Sequence, residues 1–284
     1  MVGLTLAAAF AALAADAVAV GALADPDIDE LSGLAVSRAD ASVLWGHNDS
    51  GAGAVLYRIG LQGEDLGSVR VPGAQSGDWE DIAAFADRDG AALLVADVGD
   101  NFGLRAYSTL YAVRDPGRGD AAALLWRLDF QFADGQRDCE AVAIDPLSRE
   151  ILLLSKRDDP PRLYRLPLPD APPRQRLVAE LLGPIAPMPK PSLRQRLTER
   201  YAHSPTALDI SADGLTAAIV SPTEARVYRR RPGQAWLELF RQPAPAIPLP
   251  VQSSVEAAAL SADGRTLWVG SEGRPGHWAR IPLP

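Results

Sequence analysis

Apolar residues in this chain alternate with small or polar residues in short runs, and the runs recur in one order five times. Each unit starts at an anchor residue, after which small and larger side chains alternate over four positions: Gly-Leu-Ala-Val, Asp-Ile-Ala-Ala, Ala-Val-Ala-Ile, Ala-Leu-Asp-Ile and Ala-Ala-Ala-Leu. A period of two is typical of a strand packed on both faces. The anchors are Ser32, Glu80, Glu140, Thr206 and Glu256.

A second strand follows each anchor at nearly constant spacing. It ends 15 residues after the anchor, except in the second unit, where the hairpin is two residues longer. A third strand carries a central aromatic residue, and a fourth is predicted in four units, near 67–72, 124–132, 175–181 and 236–240. The second strands end at His47, Asp97, Ser155, Ser221 and Ser271.

Regular repeats of four strands predict a β-propeller, in which the sheets surround a central channel. Residues 17–23 form a strand without a unit of their own, and the fifth unit lacks a fourth strand. We therefore predict an all-β, five-bladed propeller, closed when the N-terminal strand completes the C-terminal blade; six blades are the alternative. It forms a single domain over 16–284, with blades near 27–72, 77–133, 137–182, 203–241 and 253–284 plus 17–23.

Composition narrows the function classes. The net charge of −8 argues against a nucleic-acid partner, because phosphate binding depends on clustered Lys and Arg. Only Lys156 and Lys190 are lysines, against 26 arginines. Cys139 is the single cysteine, which excludes an intramolecular disulfide and a cysteine-based zinc site. We expect a monomer.

The first fifteen residues are rich in Ala and Leu, and Ala12-Leu13-Ala14 resembles a cleavage site. The apolar run over 4–15 is too short to span a bilayer, which needs about 20 residues. No Lys or Arg precedes it, so a basic n-region is missing. Residues 1–15 are either a signal peptide, whose start codon is wrongly placed, or an ordinary apolar N-terminus. We favour the signal peptide and expect a periplasmic or secreted protein with no stable membrane span after its removal.

Polar residues gather where first strands begin and second strands end, and a propeller brings these positions to one mouth of the channel. Crowded carboxylates repel each other by about 4 kcal/mol at 4 Å and an effective dielectric near 20. A bound cation would relieve this repulsion, and Ca²⁺ accepts irregular sets of oxygen ligands. The candidate metal ligands are Glu30, Glu80, Asp81, Asp97, Asp100, Asn101, Glu140 and Glu256.

Other polar residues at this mouth are candidates for catalysis or for binding a small-molecule or peptide ligand. Lys156 could meet developing negative charge, and His47 could act as acid or base. A short helix over 192–201 would place further arginines above the mouth, or pack on the rim. The predicted ligand-binding residues are Asn48, Asp78, Asp138, Arg157, His203 and Glu272.

Four motifs carry a resemblance: 44–51 (Leu-Trp-Gly-His-Asn-Asp-Ser-Gly), 78–83 (Asp-Trp-Glu-Asp-Ile-Ala), 97–101 (Asp-Val-Gly-Asp-Asn) and 140–143 (Glu-Ala-Val-Ala). They resemble those of bacterial exported propellers grouped with phytase-like and esterase-like proteins. For β-propeller phytases the resemblance implies Ca²⁺ ligands at Glu80, Glu140 and Glu256 and a phosphate contact at Lys156. Those enzymes are six-bladed in general, and here Ser32 and Thr206 replace acids at two anchors.

Two functions follow from this site. The first is a Ca²⁺-dependent hydrolase of an ester or phosphoester, in which the metal polarises the scissile group and helps to generate the attacking hydroxide. The second is a non-catalytic module that binds a ligand or a protein at the acidic mouth. In a third, purely structural role, each acid would pair with an arginine, and the protein would have neither of these two functions.

Overall fold

The structure is a computed structural model and describes residues 18–51, 53–188, 203–250 and 255–284. These residues form twenty strands and one short helix, α1 (Trp236–Phe240). The first half of the chain contains β1 (Val18–Ala22), β2 (Leu31–Val36), β3 (Val43–Asn48), β4 (Val55–Gly60), β5 (Asp65–Arg70), β6 (Trp79–Asp87), β7 (Gly90–Asp97), β8 (Ser108–Arg114) and β9 (Leu124–Phe132).

The second half continues the same pattern. Its strands are β10 (Cys139–Asp145), β11 (Glu150–Ser155), β12 (Arg162–Pro167), β13 (Leu177–Pro184), β14 (Ala207–Ile210), β15 (Thr216–Val220), β16 (Glu224–Arg229), β17 (Ala246–Pro248), β18 (Val255–Leu260), β19 (Thr266–Ser271) and β20 (His277–Pro282).

The strands form antiparallel sets of four that follow one another along the chain. Four sets run β2 to β5, β6 to β9, β10 to β13 and β14 to β17, and the last is β18, β19, β20 and β1. The strand at the N-terminal end of the described residues therefore lies antiparallel to β20, which is the pairing that the sequence predicts. A short parallel pairing between β13 and β9 joins two of the sets into one eight-stranded sheet.

The first strands of the sets lie side by side around a common centre. Strand β2 contacts β6, β6 contacts β10, β10 contacts β14, β14 contacts β18, and β18 returns to β2. Buried apolar clusters fill the spaces between neighbouring sets. The chain is thus an all-β protein of antiparallel sheets arranged around a channel, as in a β-propeller.

The anchor residues coincide with irregularities in the strands. The pairing of first and second strands shifts by one residue at Ser32, Glu80, Glu140 and Glu256. A bulge inserts one extra residue and changes the direction in which side chains point. The bulges therefore sit where the candidate ligands enter the strands.

One predicted strand is wrong. Residues 236–240 form the helix α1, and the outer strand of their set is β17 instead. The reason is a buried pair four residues apart: the Trp236 and Phe240 rings stack at 5.5 Å, which suits one face of a helix. No helix in the described ranges is long and apolar enough to cross a membrane.

Candidate metal centre

Five carboxylates meet where the first strands begin and the second strands end. Oxygens of Asp49, Asp78 and Glu80 lie within 4.8 Å of one another, and so do oxygens of Glu80, Asp138 and Glu140. Glu80 belongs to both groups. The end of β3 and the starts of β6 and β10 therefore build one cluster, which we call the metal centre.

Glu80 is the middle of this cluster and the least compensated member. It is 4% exposed, and its carboxylate accepts no hydrogen bond from any residue that the structure describes. Burial, followed by the negative charge of Glu140, raises the pKa of Glu80 well above its ordinary value. A cation at this point would remove both penalties.

Gly99 allows the carboxylates to come together. A Cβ at this position would lie 2.6 Å from Asp78 Cγ and nearer still to Glu80 Oε1. Real Cβ atoms essentially never come so close to other atoms. A side chain at position 99 would therefore displace the carboxylates of Glu80 and Asp78 from their present positions.

The other acids of the cluster are perturbed in the same direction. Burial and the neighbouring Asp49 carboxylate raise the pKa of Asp78 to about 6. Burial, together with the negative charge of Glu272, raises the pKa of Asp49. Burial also raises the pKa of Glu140 to about 7, although Lys156 opposes the shift. A cation bound among these carboxylates would favour their charged forms and lower these pKa values.

Cations flank one side of the metal centre. Lys156 Nζ lies 2.6 Å from Glu140 Oε1, and Arg157 pairs with Asp138 and with the Asn101 side chain. Burial alone would lower the pKa of Lys156, but the nearby glutamates raise it above its ordinary value. The side formed by Asp138 and Glu140 is thus partly neutralised.

Three further glutamates extend the acidic rim. Burial and the charge of Glu256 raise the pKa of Glu272 to about 7, with a smaller contribution from Glu30. Glu256 is half-buried and acts electrostatically on both Glu140 and Lys156. Glu30 is exposed. These three surround the metal centre and do not belong to the two carboxylate groups that could share an ion.

Asp97 and Asp100 hold loops. Asp97 accepts the N–H groups of Gly77 and Asp78 at 3.2 and 3.0 Å and pairs with Arg105. Asp100 accepts the N–H groups of Leu104 and Arg105 at 2.8 and 3.1 Å. We therefore assign both, although predicted as ligands, to positioning Asp78 and the loop that follows β7.

The expected position of Asp81 among the ligands is corrected. The bulge at Glu80 turns the next side chain into the channel, where Asp81 is 1% exposed. Its Oδ1 accepts the N–H of Ile82 at 2.9 Å, and its Oδ2 accepts those of Val142 at 2.8 Å and Leu208 at 3.3 Å. Asp81 therefore joins three of the inner strands, which would otherwise present unpaired donors.

His47 is also placed away from the open mouth. It is 0% exposed, its Nδ1 lies 3.0 Å from its neighbour's carbonyl oxygen, and its ring meets Trp79 edge-on. Burial lowers its pKa to about 4. Because the imidazole is neutral and enclosed by protein, we do not propose an acid–base role for His47.

Of the remaining predicted residues, Asn48 has a structural role and His203 lies near the mouth. Asn48 Nδ2 donates to the Asp27 carbonyl oxygen at 2.7 Å, so Asn48 fixes the loop before β2. His203 lines a cavity of about 210 Å³ together with Lys156 and Arg157, next to the metal centre. The predicted helix over 192–201 and the predicted signal peptide over 1–15 lie outside the described residues.

Asp209 is a second acid inside the channel. It accepts the N–H groups of Ile210 and Leu260 at 2.8 and 2.7 Å, and burial raises its pKa to about 7. An unfolded aspartate has a pKa of about 3.9. Between these values the folded protein keeps a proton that the unfolded chain releases, so this group lowers the free energy of unfolding as the pH rises from about 4 to about 7.

We predict that Asp209→Asn reduces this loss of stability. The slope from one proton is at most about 1.4 kcal/mol per pH unit. Urea unfolding of the protein and of the variant at pH 5, 6, 7 and 8, in the presence of a chelator, measures the difference. Parallel profiles would show that Asp209 does not titrate in this range.

Two residues of the site, Asp49 and Arg105, are not among the candidate site residues predicted from the sequence. Asp49 follows the second strand of the first unit directly, so its place at the mouth was readable from strand position. The place of Arg105 could not be read from strand position, because its contact with Asp97 depends on the path of the loop after β7.

No protein-family model matches the chain, and no curated protein sequence matches it. Among solved structures, it is similar to a gluconolactonase from Xanthomonas campestris, an enzyme described as important in glucose secondary metabolic pathways. The similarity covers 93% of this chain and 91% of that chain, with 15% sequence identity and a TM-score of 0.45.

Proposed function

We propose that this protein is an exported propeller that binds Ca²⁺ at the metal centre and hydrolyses an ester or a phosphoester there. The observation that carries the proposal is Glu80. It is a buried carboxylate, shared by two groups of potential ligands, and no described residue donates a hydrogen bond to it. Buried charges are ordinarily paired or bound to a metal.

The donor set fits a hard cation. Asp49, Asp78, Glu80, Asp138 and Glu140 offer carboxylate oxygens, which Ca²⁺ prefers, and two described cations pair with only Asp138 and Glu140. A bound Ca²⁺ would supply Lewis acidity toward a carbonyl or phosphoryl oxygen. Lys156 remains protonated beside Glu140 and is the described residue best suited to meet negative charge that develops on a substrate.

A specific observation favours the alternative of a non-catalytic binding module. The imidazole of His47 is enclosed, and the ammonium group of Lys156 already contacts Glu140. Neither of the two predicted catalytic side chains is therefore free for proton transfer. In this alternative the acidic mouth holds Ca²⁺ or a polar ligand without turning it over.

A hydrolysis assay separates the two functions. Chelator-treated protein is incubated with carboxylic esters and phosphomonoesters, with and without added Ca²⁺. We expect Ca²⁺-dependent hydrolysis that falls at least a hundredfold in the double variant Glu80→Gln, Glu140→Gln. The matched control, Glu180→Gln with Glu238→Gln, alters two exposed acids of other surfaces and keeps full activity. Binding of Ca²⁺ without turnover of any ester would favour the binding module.

The architecture and setting belong to the same proposal. Five blades are supported by the five first strands that contact one another in a closed order. A periplasmic or secreted location is supported by the apolar 1–15 segment. A small-molecule or peptide ligand at the mouth is supported by the cluster of carboxylates there. Chromatography with light scattering should give the mass of a monomer.

A further inference from the structure

The channel ends opposite the metal centre in a second cavity. Its volume is about 330 Å³, near the lower limit for pockets that hold small organic ligands. It opens where the first strands finish, at the far ends of β2, β14 and β18. Most of its wall is apolar, formed by Val36, Ala84, Ile210, Leu260 and Trp268.

Arg38 brings a cation to this cavity. It lines the wall and is half-buried, yet its guanidinium forms no hydrogen bond or ion pair with any described residue. Asp209 lies near enough to act on it electrostatically but not within the 4.0 Å of an ion pair. The five N–H donors of the guanidinium are therefore available to a ligand that enters the cavity.

The backbone at Arg38 is held firmly. The Asp115 carboxylate, itself 5% exposed, accepts the N–H of Arg38 at 2.8 Å and the Ser37 hydroxyl at 2.8 Å. The same carboxylate accepts the Trp45 indole N–H at 2.9 Å. The turn after β2 is thus tied to the turn after β8, and the Arg38 side chain starts from a fixed point.

Asp209 lines the same cavity. Each Asp209 oxygen accepts one backbone N–H and keeps capacity for another hydrogen bond. Trp268, which is 6% exposed, contributes to the apolar wall. The cavity thus presents unused donors at Arg38 and an unused acceptor at Asp209, beside an apolar wall.

We propose that this cavity binds a small carboxylic acid with an apolar body and a hydroxyl or ammonium group next to the carboxylate. The ligand carboxylate pairs with Arg38, the adjacent donor reaches Asp209, and the body packs on Ile210, Leu260 and Trp268. A simple amine would meet Arg38 with like charge. A plain fatty acid would leave Asp209 facing its carboxylate. This site is separate from the metal centre and does not depend on the proposed hydrolysis.

Calorimetric titration of the full-length protein, in the presence of a chelator so that the metal centre is silent, tests the proposal. The probes are 2-hydroxy-4-methylpentanoate, leucine, 4-methylpentanoate and 3-methylbutylamine. We expect one of the first two to bind with the lowest Kd, 4-methylpentanoate to bind at least tenfold more weakly, and the amine not to bind.

Two variants examine the cavity itself. Arg38→Gln should weaken binding at least tenfold, and Ala84→Leu should block it by filling the wall. Arg88→Gln, an exposed arginine of the turn after β6, is the matched control and should bind normally. Unchanged melting temperatures establish that the variants fold. Absence of binding by both acids at 10 mM, equal binding by 4-methylpentanoate, or full binding in Arg38→Gln would each overturn the proposal.

Discussion

Replacing Asp81 by alanine should cost the protein at least about 3 kcal/mol of unfolding free energy, because three buried N–H groups lose their acceptor. Those groups belong to Ile82, Val142 and Leu208, on three inner strands. For a domain of this size we expect the melting temperature to fall by roughly 6–12 °C. Differential scanning calorimetry measures the change.

The control for this prediction is Asp89→Ala, in the exposed turn between β6 and β7, which should melt like the unaltered protein. The Ca²⁺ affinity of folded Asp81→Ala should stay within about threefold of normal, because Asp81 lies apart from the metal centre. A large loss of Ca²⁺ affinity with unchanged stability would instead make Asp81 a ligand.

Replacing Glu80 by glutamine should have the opposite effect on stability. In the absence of Ca²⁺ the folded protein either holds a repelled, buried charge at Glu80 or takes up a proton that the unfolded chain does not hold. Glutamine removes this cost. With chelator at pH 7 we expect the melting temperature to rise by several degrees, corresponding to on the order of 2 kcal/mol.

The same variant should no longer respond to Ca²⁺. Millimolar Ca²⁺ raises the melting temperature of a protein that binds it in the folded state, and Glu80→Gln should lose that rise. Glu180→Gln, on the exposed face of β13, should keep it. A Glu80→Gln protein that melts lower in chelator would indicate that the carboxylate is a structural partner rather than a ligand.

The position of the metal centre was accessible to sequence reasoning because strand spacing places residues along the channel axis. Constant distances from anchor to second-strand end put Glu80, Glu140 and Asp78 at one mouth, and their oxygens do lie together. The direction in which each side chain points from its strand could not be predicted from the sequence. The bulge at Glu80 sends Glu80 and Asp81 to different surroundings, and neighbouring letters in the sequence do not reveal that shift.

The local sequence pattern also gave a wrong prediction where tertiary packing determines the secondary structure. Residues 236–240 read Trp-Leu-Glu-Leu-Phe, an apolar run that suits a strand, yet Trp236 and Phe240 are buried together on one helical face. The role of Asp209 inside the channel was not predicted for a related reason. In the sequence, Asp209 is a single polar residue within an otherwise apolar strand. Its role depends on the N–H of Leu260, which lies 51 residues away.

Calorimetric titration of the chelator-treated protein with CaCl₂ addresses the metal centre most directly. If carboxylates that repel one another around Glu80 are built to surround an ion, heat will be released along a saturable curve with about one ion per chain and a Kd below 1 mM. A flat trace up to 10 mM Ca²⁺ would mean that protons and neighbouring side chains alone satisfy these acids, and the function assigned to this mouth would be lost with it.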